Sequence, residues 1–421
     1  MDSMREFTGF RWFVLATLCI VTATTAVVLI SPAPLIGAIA KSFVINVGEA
    51  TGASMATFNL AVAISCLVGG PLLDRFGFVR VWSVCLAMIA LGEIATPTFG
   101  DTVAKFHILR LIQGFGTGPI MASTARVAAQ WFPPSERGIV AGVQGTAMGL
   151  GTAVGLVISP MLFAAKGDWA VTIAWLGAMP LIALIMTLVI AFGPEPPNEH
   201  VEQTGRETQA SRSDFAQAIR LPATWGAILC VVLLSWVMQG FNDLVPGFIA
   251  VDPPVGLGRN PVVAGQFMMV LQIAFMVGAI LSGFIVDGLF GGRSRPVVFL
   301  GFLGTAIFCY AIRFNFVHSS NFAMLINLAM AGLFQSVCIP ATIAFIARNY
   351  PEHITGKLGG LAQGIGIFGG TAGVTVGAFA LDFSGFYNYS IVAVSLAALV
   401  GCACALLQKP PDVFARHRSW N

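Results

Sequence analysis

Residues 70–80 read Gly70-Pro71-Leu72-Leu73-Asp74-Arg75-Phe76-Gly77-Phe78-Val79-Arg80, and they close an apolar run that begins near residue 50. A degenerate copy, Gly283-Phe284-Ile285-Val286-Asp287-Gly288-Leu289-Phe290-Gly291, closes an apolar run in the second half of the chain, with Arg293 just beyond it. A second echo follows the first in the same order. Arg137-Gly138 opens a run carrying Gly142, Gly145, Gly149 and Gly151, and Thr355-Gly356 opens one carrying Gly360, Gly364, Gly366 and Gly369. The same punctuation appearing twice predicts two related halves.

Composition says what those halves are made of. Of 421 residues, 57% are apolar and 10% are Asp, Glu, Lys or Arg, with mean hydropathy +0.84. A soluble protein carries about 25% charged residues, so too little polar surface exists here for a soluble enzyme, a disordered chain or a nucleic-acid binder. Solid apolar blocks such as 225–237 and 391–407 are unlike the alternating segments of roughly 10 residues found in membrane barrels. The spans are therefore helices, each needing about 20 residues. Helices are expected near 12–36, 50–73, 81–99, 104–130, 138–163 and 169–193, then near 221–249, 262–286, 296–317, 320–347, 357–381 and 388–408. The first run is far longer than the 7–15 residues of a signal-peptide core and reads as a spanning helix. Between the two sets lies one long polar segment with Pro194, Pro196, Pro197, Glu199, Glu202, Arg206 and Arg212. The expected architecture is an all-α integral membrane protein of twelve transmembrane helices. Residues 1–193 and 221–421 form two pseudo-symmetric six-helix bundles, joined by a cytoplasmic linker, 194–220.

The positive charges test this topology. With both termini and the linker in the cytoplasm, the inside collects Arg5, Arg11, Arg75, Arg80, Arg137, Arg206, Arg212, Arg220, Arg293, Arg295, Arg348, Lys357, Lys409, Arg416 and Arg418. The outside keeps Lys41, Lys105, Lys166 and Arg259, with Arg110 and Arg313 near helix ends. That bias has the sign of the positive-inside rule, and an even helix count with both ends inside follows; an inner or plasma membrane is the expected location. The eight cysteines are scattered through apolar blocks with no C-x-x-C pair, so they read as small apolar residues.

At these residues the chain resembles the major facilitator superfamily over essentially its full length. Gly70-x-x-x-Asp74-Arg75-x-Gly77-x-x-Arg80 is similar to that family's cytoplasmic loop motif between helices two and three, and Gly283-x-x-x-Asp287 to its second copy. Leu109-Arg110-Leu111-Ile112-Gln113-Gly114-Phe115-Gly116 resembles the fourth-helix motif. Trp131-Phe132-Pro133-Pro134-Ser135-Glu136-Arg137-Gly138 is similar to an element common among organic-anion members. The Gly-Pro step that drug/proton antiporters carry on helix five is missing from Gly145–Gly155. The resemblance implies a secondary transporter whose halves rock about a midplane site, with Asp74, Arg75, Arg80, Arg137 and Asp287 gating the cytoplasmic face. Asp74 is expected to pair with Arg137 or Arg80.

Ionisable residues inside the helices are the informative ones, because each is expensive at the bilayer centre. Glu93 and Arg110 share a depth in the outer half; they either pair structurally or handle protons, and the resemblance gives Arg110 the further option of bonding to the first helix. Asp243 follows Gln239 and Asn242 and precedes Pro246-Gly247, expected to break the helix. It is either a protonatable coupling carboxylate or a wetted helix-end group. Arg126 lies about 24 Å down the fourth helix from Arg110 at 1.5 Å per residue. It reaches the cytoplasmic interface, pairs with Glu136, or offers its planar fork to a carboxylate or phosphate. Substrate contacts are expected from Arg126, Gln144, Asn242, Gln272, Gln335 and Gln363, and proton coupling from Asp243, Glu93 and Arg110.

No P-loop and no catalytic Ser/His/Asp grouping is present, so no enzyme activity, cofactor or metal is expected. The expectation is proton-coupled transport of a small organic anion, a mono- or dicarboxylate, by a monomer in the lipid bilayer, with no nucleic-acid partner. Two alternatives stay open: a proton-driven multidrug efflux antiporter, and a transporter-like sensor that does not pump.

Overall fold

The computed structural model describes residues 9–133, 136–196 and 209–417, and among them the chain is helical with no strand. Twelve helices cross the bilayer. In the first half they are α1 (Phe10–Phe43), α2 (Val47–Phe76), α3 (Phe78–Ile94), α4 (Val103–Met121 continued by Thr124–Trp131), α5 (Arg137–Lys166) and α6 (Trp169–Ala191). The second half holds α7 (Pro222–Ala250), α8 (Pro261–Leu289), α9 (Ser294–Ala311), α10 (Asn321–Asn349), α11 (Glu352–Ser384) and α12 (Tyr387–Leu406). Ten are long and apolar enough to span by themselves. The other two are α3, with 17 residues, and α4, which is interrupted and carries Lys105 and Arg110.

Several spans that hydropathy reads as continuous are interrupted. α1 passes through a 3-10 turn at Ala33–Leu35, because Pro32 has no N–H to return to the carbonyl of Val28. α4 breaks where the Ser123 hydroxyl donates to the Ile120 carbonyl (2.6 Å) and accepts from the Trp82 indole (2.9 Å), so a side chain replaces a ladder bond. α6 breaks at Gly177, with Pro180 just beyond, and α10 at Val337, with Pro340 just beyond. α7 behaves in the opposite way. The expected break at Pro246-Gly247 is absent, and the helix runs on to Ala250. Pro246 has no N–H to return to the Asn242 carbonyl, yet the helix continues past it.

Contacts divide the chain into two compact units, Met1–Thr204 with Asn260–Gln266, and Gly205–Arg259 with Phe267–Asn421. In the first, α1 packs on α5, α2 on α4, and α3 on α4 and α6. In the second, α7 packs on α11 and α12, and α9 on α10 and α12. The glycines singled out by the sequence are what let these pairs approach. A Cβ on Gly151 of α5 would lie 2.4 Å from the Ala23 carbonyl of α1. On Gly369 of α11 it would lie 2.1 Å from the Val232 carbonyl of α7. Equivalent helix pairs in the two halves thus touch backbone to backbone. Ile182, Phe284, Phe379 and Phe383 are exposed. Of the linker, 197–208 lies outside the described residues; the helix Gln209–Ile219 packs Phe215 and Ala218 against Phe345, Tyr350, Ile354 and Phe414 of the second unit.

Gly369→Val is expected to push α11 off α7 and lower the unfolding midpoint in detergent, an overpacking cost of about 1–3 kcal/mol. Gly360→Ala on the same helix, where the new Cβ meets nothing within 4 Å, is expected not to lower it.

Candidate functional site

Arg110 on α4 is 1% exposed, and its guanidinium is held from several sides. Nε donates to the Ser54 carbonyl (2.6 Å), Nη1 to the Val28 carbonyl (3.1 Å) and to Gln113 Oε1 (2.6 Å), and Nη2 to the Leu29 carbonyl (3.4 Å). The Phe58 ring faces the guanidinium carbon at 4.4 Å. The sequence arranges these acceptors. Pro32 frees the Val28 carbonyl, and Ser54 sits in a π-helical stretch of α2, Gly52–Ala56, where carbonyls leave the regular ladder. Three helices therefore meet on one cation, and the bond to the first helix is among the options the motif suggested.

The expected Glu93–Arg110 ion pair does not form. Glu93 is 0% exposed, and neither carboxylate oxygen has a hydrogen-bond partner. Arg110 is near enough for its charge to act on Glu93, yet its donors are directed to carbonyls. Gln113 lies between them in the packing: its side chain lies against Gly92, and its Nε2 is also without a partner.

At the opposite end of α4, Arg126 Nη1 bonds Asp74 Oδ1. This corrects two expectations, since Arg126 was given no acidic neighbour but Glu136, and Asp74 was assigned to Arg137 or Arg80. Glu136 instead accepts from Arg11 at 3.3 Å. Arg75 lies over the Phe76 ring (5.3 Å), Arg80 is exposed, and the side chain of Arg137 lies outside the described residues. The second half repeats the pairing. Arg348 Nη2 at the end of α10 bonds Asp287 Oδ1 at the end of α8, and its Nη1 donates to the Gly292 carbonyl (2.8 Å). The sequence does not single out Arg348 as the partner of Asp287; its signal is its place near the end of the tenth helix, where Arg126 stands near the end of the fourth.

The second unit builds its interior polar cluster from amides. Gln272 of α8 donates to Asn242 Oδ1 of α7 (2.9 Å), and Gln239 Nε2 donates to both Asp243 oxygens (3.1 and 3.2 Å). Asp243 is 2% exposed, so the wetted helix-end alternative is not what is seen. Gln335 is buried and reaches Cys309 Sγ at 3.5 Å, leaving its Oε1 without a partner. Gln144 is half-buried on α5 and Gln363 exposed on α11. Asn242 and Gln272 are thus brought together; Gln335 joins a different neighbour, and Arg126 and Gln144 belong to the other unit.

Arg110→Lys is expected to cost at least about 2 kcal/mol of stability, because an ammonium keeps the charge but loses several charge-assisted bonds. Thermal unfolding checks it, with Asp74→Asn as contrast. Its ion pair is half-exposed, so that change is expected to stay within about 1 kcal/mol.

Relatives resemble the chain along most of its length. It is 23% identical over 378 residues to the hexuronate transporter of Bacillus subtilis (strain 168), covering 85% of this chain and 86% of that one. It is 24% identical over 380 residues to the probable galactarate/D-glucarate transporter of Escherichia coli (strain K12), covering 83% and 82%. The gallate transporter of Pseudomonas putida is 23% identical over 363 residues, covering 79% and 77%. Among solved structures, an inward-facing bacterial homolog of the human lysosomal transporter Spinster superposes with a TM-score of 0.77 at 14% identity, covering 98% and 99%. A D-xylose–proton symporter gives 0.73 at 18%, covering 95% and 97%. The profile of the Major Facilitator Superfamily matches residues 14–293 and 288–419. With that profile matched along nearly the whole chain and its twelve-helix fold in place, the chain belongs to the Major Facilitator Superfamily of membrane transporters.

Proposed function

We propose that this protein is a secondary active transporter that moves a small organic anion, a mono- or dicarboxylate, with protons, its halves 1–193 and 221–421 alternating access about the 194–220 linker. The observation that carries the reading is the likeness over most of the chain to transporters named for hexuronate, galactarate/D-glucarate and gallate, all of which are carboxylates. The placement is a cell membrane, inner or plasma, with both termini cytoplasmic.

Arg126 is the proposed anion contact of the first half. Its fork already donates to one carboxylate, that of Asp74. A substrate carboxylate competing for the same donors releases Asp74, so that binding and unlatching become one event. Asp287 and Arg348 form the matching latch of the second half. Asn242 and Gln272 supply neutral donors and acceptors for hydroxyls or a second carboxylate, with Gln144, Gln335 and Gln363 as further contacts. Asp243 and Glu93 are the proposed proton carriers. Each is a buried carboxyl whose charged form is expensive away from water, while Arg110 stays charged and tunes Glu93 by its field.

The test is uptake of radiolabelled hexuronate and glucarate into proteoliposomes with and without an imposed pH gradient. Gradient-driven uptake is expected in the wild type. It should fall more than about tenfold in Arg126→Ala, the scale of a lost charge-assisted pair, and lose its gradient dependence in Asp243→Asn. Flux of cationic drugs with no carboxylate flux would assign the protein to efflux, and full carboxylate flux in Arg126→Ala would remove that residue from the site.

A further inference from the structure

At the end of the second unit that carries Asp287 and Arg348, a cleft of about 1360 Å³ opens between the α8–α9 turn, the end of α10 and the residues after α12. It is independent of the proposed substrate residues, and its lining is unusual for a membrane protein interior. Arg293, Arg295 and Arg348 face it, against one carboxylate, Asp287, which Arg348 already pairs. The guanidinium groups of Arg293 and Arg295 have no hydrogen-bond or ion-pair partner among the described residues. α9, eighteen residues long, begins here at Ser294, with Arg293 at its cap position and no side chain capping its first amides. The amides of Ser294 and Arg295, Pro296 having none, and the dipole of the helix favour an anion.

Two buried side chains at the cleft carry a polar atom without a partner. Ser294 is 5% exposed, and its hydroxyl has no hydrogen-bond partner. Gln408 is 0% exposed; its Nε2 reaches Thr342 at 3.5 Å, but its Oε1 has none. Both line the cleft. Buried polar atoms are ordinarily satisfied. A hydroxyl beside the free amides of Ser294 and Arg295 and two unpaired guanidiniums is a donor set without its acceptor. The turn Gly291-Gly292, at φ 53° and 78°, carries the chain into α9 so that the arginines come together.

We infer that this cleft binds a phosphate-bearing anion, held by Arg293, Arg295, the Ser294 hydroxyl and the first amides of α9. The apolar side of the cleft, Phe299, Leu300 and Leu406, gives a place for an acyl chain beside the phosphate. An anionic phospholipid of the cytoplasmic leaflet and a soluble phosphate compound share this chemistry, and the test separates them.

The full chain, purified in detergent, is titrated calorimetrically with short-chain phosphatidylglycerol, with phosphatidylcholine, whose phosphate charge is cancelled by choline, and with inorganic phosphate. Phosphatidylglycerol is expected to bind more tightly than phosphatidylcholine. The double variant Arg293→Gln/Arg295→Gln is expected to weaken it by about tenfold or more, as loss of charge-assisted bonds does. Ser294→Ala is expected to weaken it several-fold while leaving the unfolding midpoint at or above that of the wild type, because it removes a hydroxyl that has no partner. Lipid binding undisplaced by inorganic phosphate assigns the site to a headgroup; phosphate binding that the same variants weaken assigns it to a soluble compound. Phosphatidylglycerol binding no tighter than phosphatidylcholine, with no phosphate binding, would overturn the inference. So would affinities unchanged in Ser294→Ala and in a folded double variant.

Discussion

A helix bundle in hydrocarbon gains little by hiding leucine from lipid, so its helices stay together only where backbones touch or where polar groups are answered. Both devices are visible here, and they are distributed by helix pair. α5 against α1 and α11 against α7 meet through glycines whose missing Cβ atoms leave room for a neighbouring carbonyl. α4 against α2 does the same at Gly114 and Gly118, and α10 against α8 at Gly332. On the other flank, Arg110 binds carbonyls of α1 and α2 at once. An arginine is suited to this because its donors diverge in one plane and it does not deprotonate.

The two halves keep the same ion-pair geometry at one end while differing inside. Asp74–Arg126 and Asp287–Arg348 each link the end of a second helix to the end of a fourth within its own half. Their exposure makes them weak contributors to stability. A pair that costs little to break and recurs in both repeats suits a contact that must open and close. Inside, the first half buries a full charge and saturates it with backbone, whereas the second buries amides and one carboxylate.

Twelve spans and the half-repeat were legible because membrane helices announce themselves by length, and because glycine and Asp-Arg landmarks recur in order. Interruptions were less legible. Pro32 ends a regular turn and Pro246 does not, although both sit inside apolar runs. Pairing was the least legible feature. Depth along a helix put Glu93 beside Arg110 correctly, but depth carries no azimuth and says nothing of acceptors made by backbone. Carbonyls of Val28, Leu29 and Ser54 have no sequence signature apart from the proline and the π stretch that expose them. Asp74 escaped for a similar reason: the nearest arginines in sequence point to solvent, and the one that reaches it comes from another helix.

The arrangement around Glu93 ties charge to conformation. Arg110 has fixed charge and its donors are committed, so a change of charge among these buried groups of the first half has to come from Glu93. Ionising it in place would leave a buried carboxylate with no donor to either oxygen, a state whose cost exceeds that of most single interactions in the bundle. The charged form therefore requires something to move: water entering, Gln113 turning its unpartnered amide toward the carboxylate, or Arg110 surrendering a carbonyl of α1 or α2. Each of these loosens the junction where α1, α2 and α4 meet. If Glu93 is the proton carrier proposed above, its protonation is linked to closure of that junction by elementary solvation, with no need for a substrate to touch it.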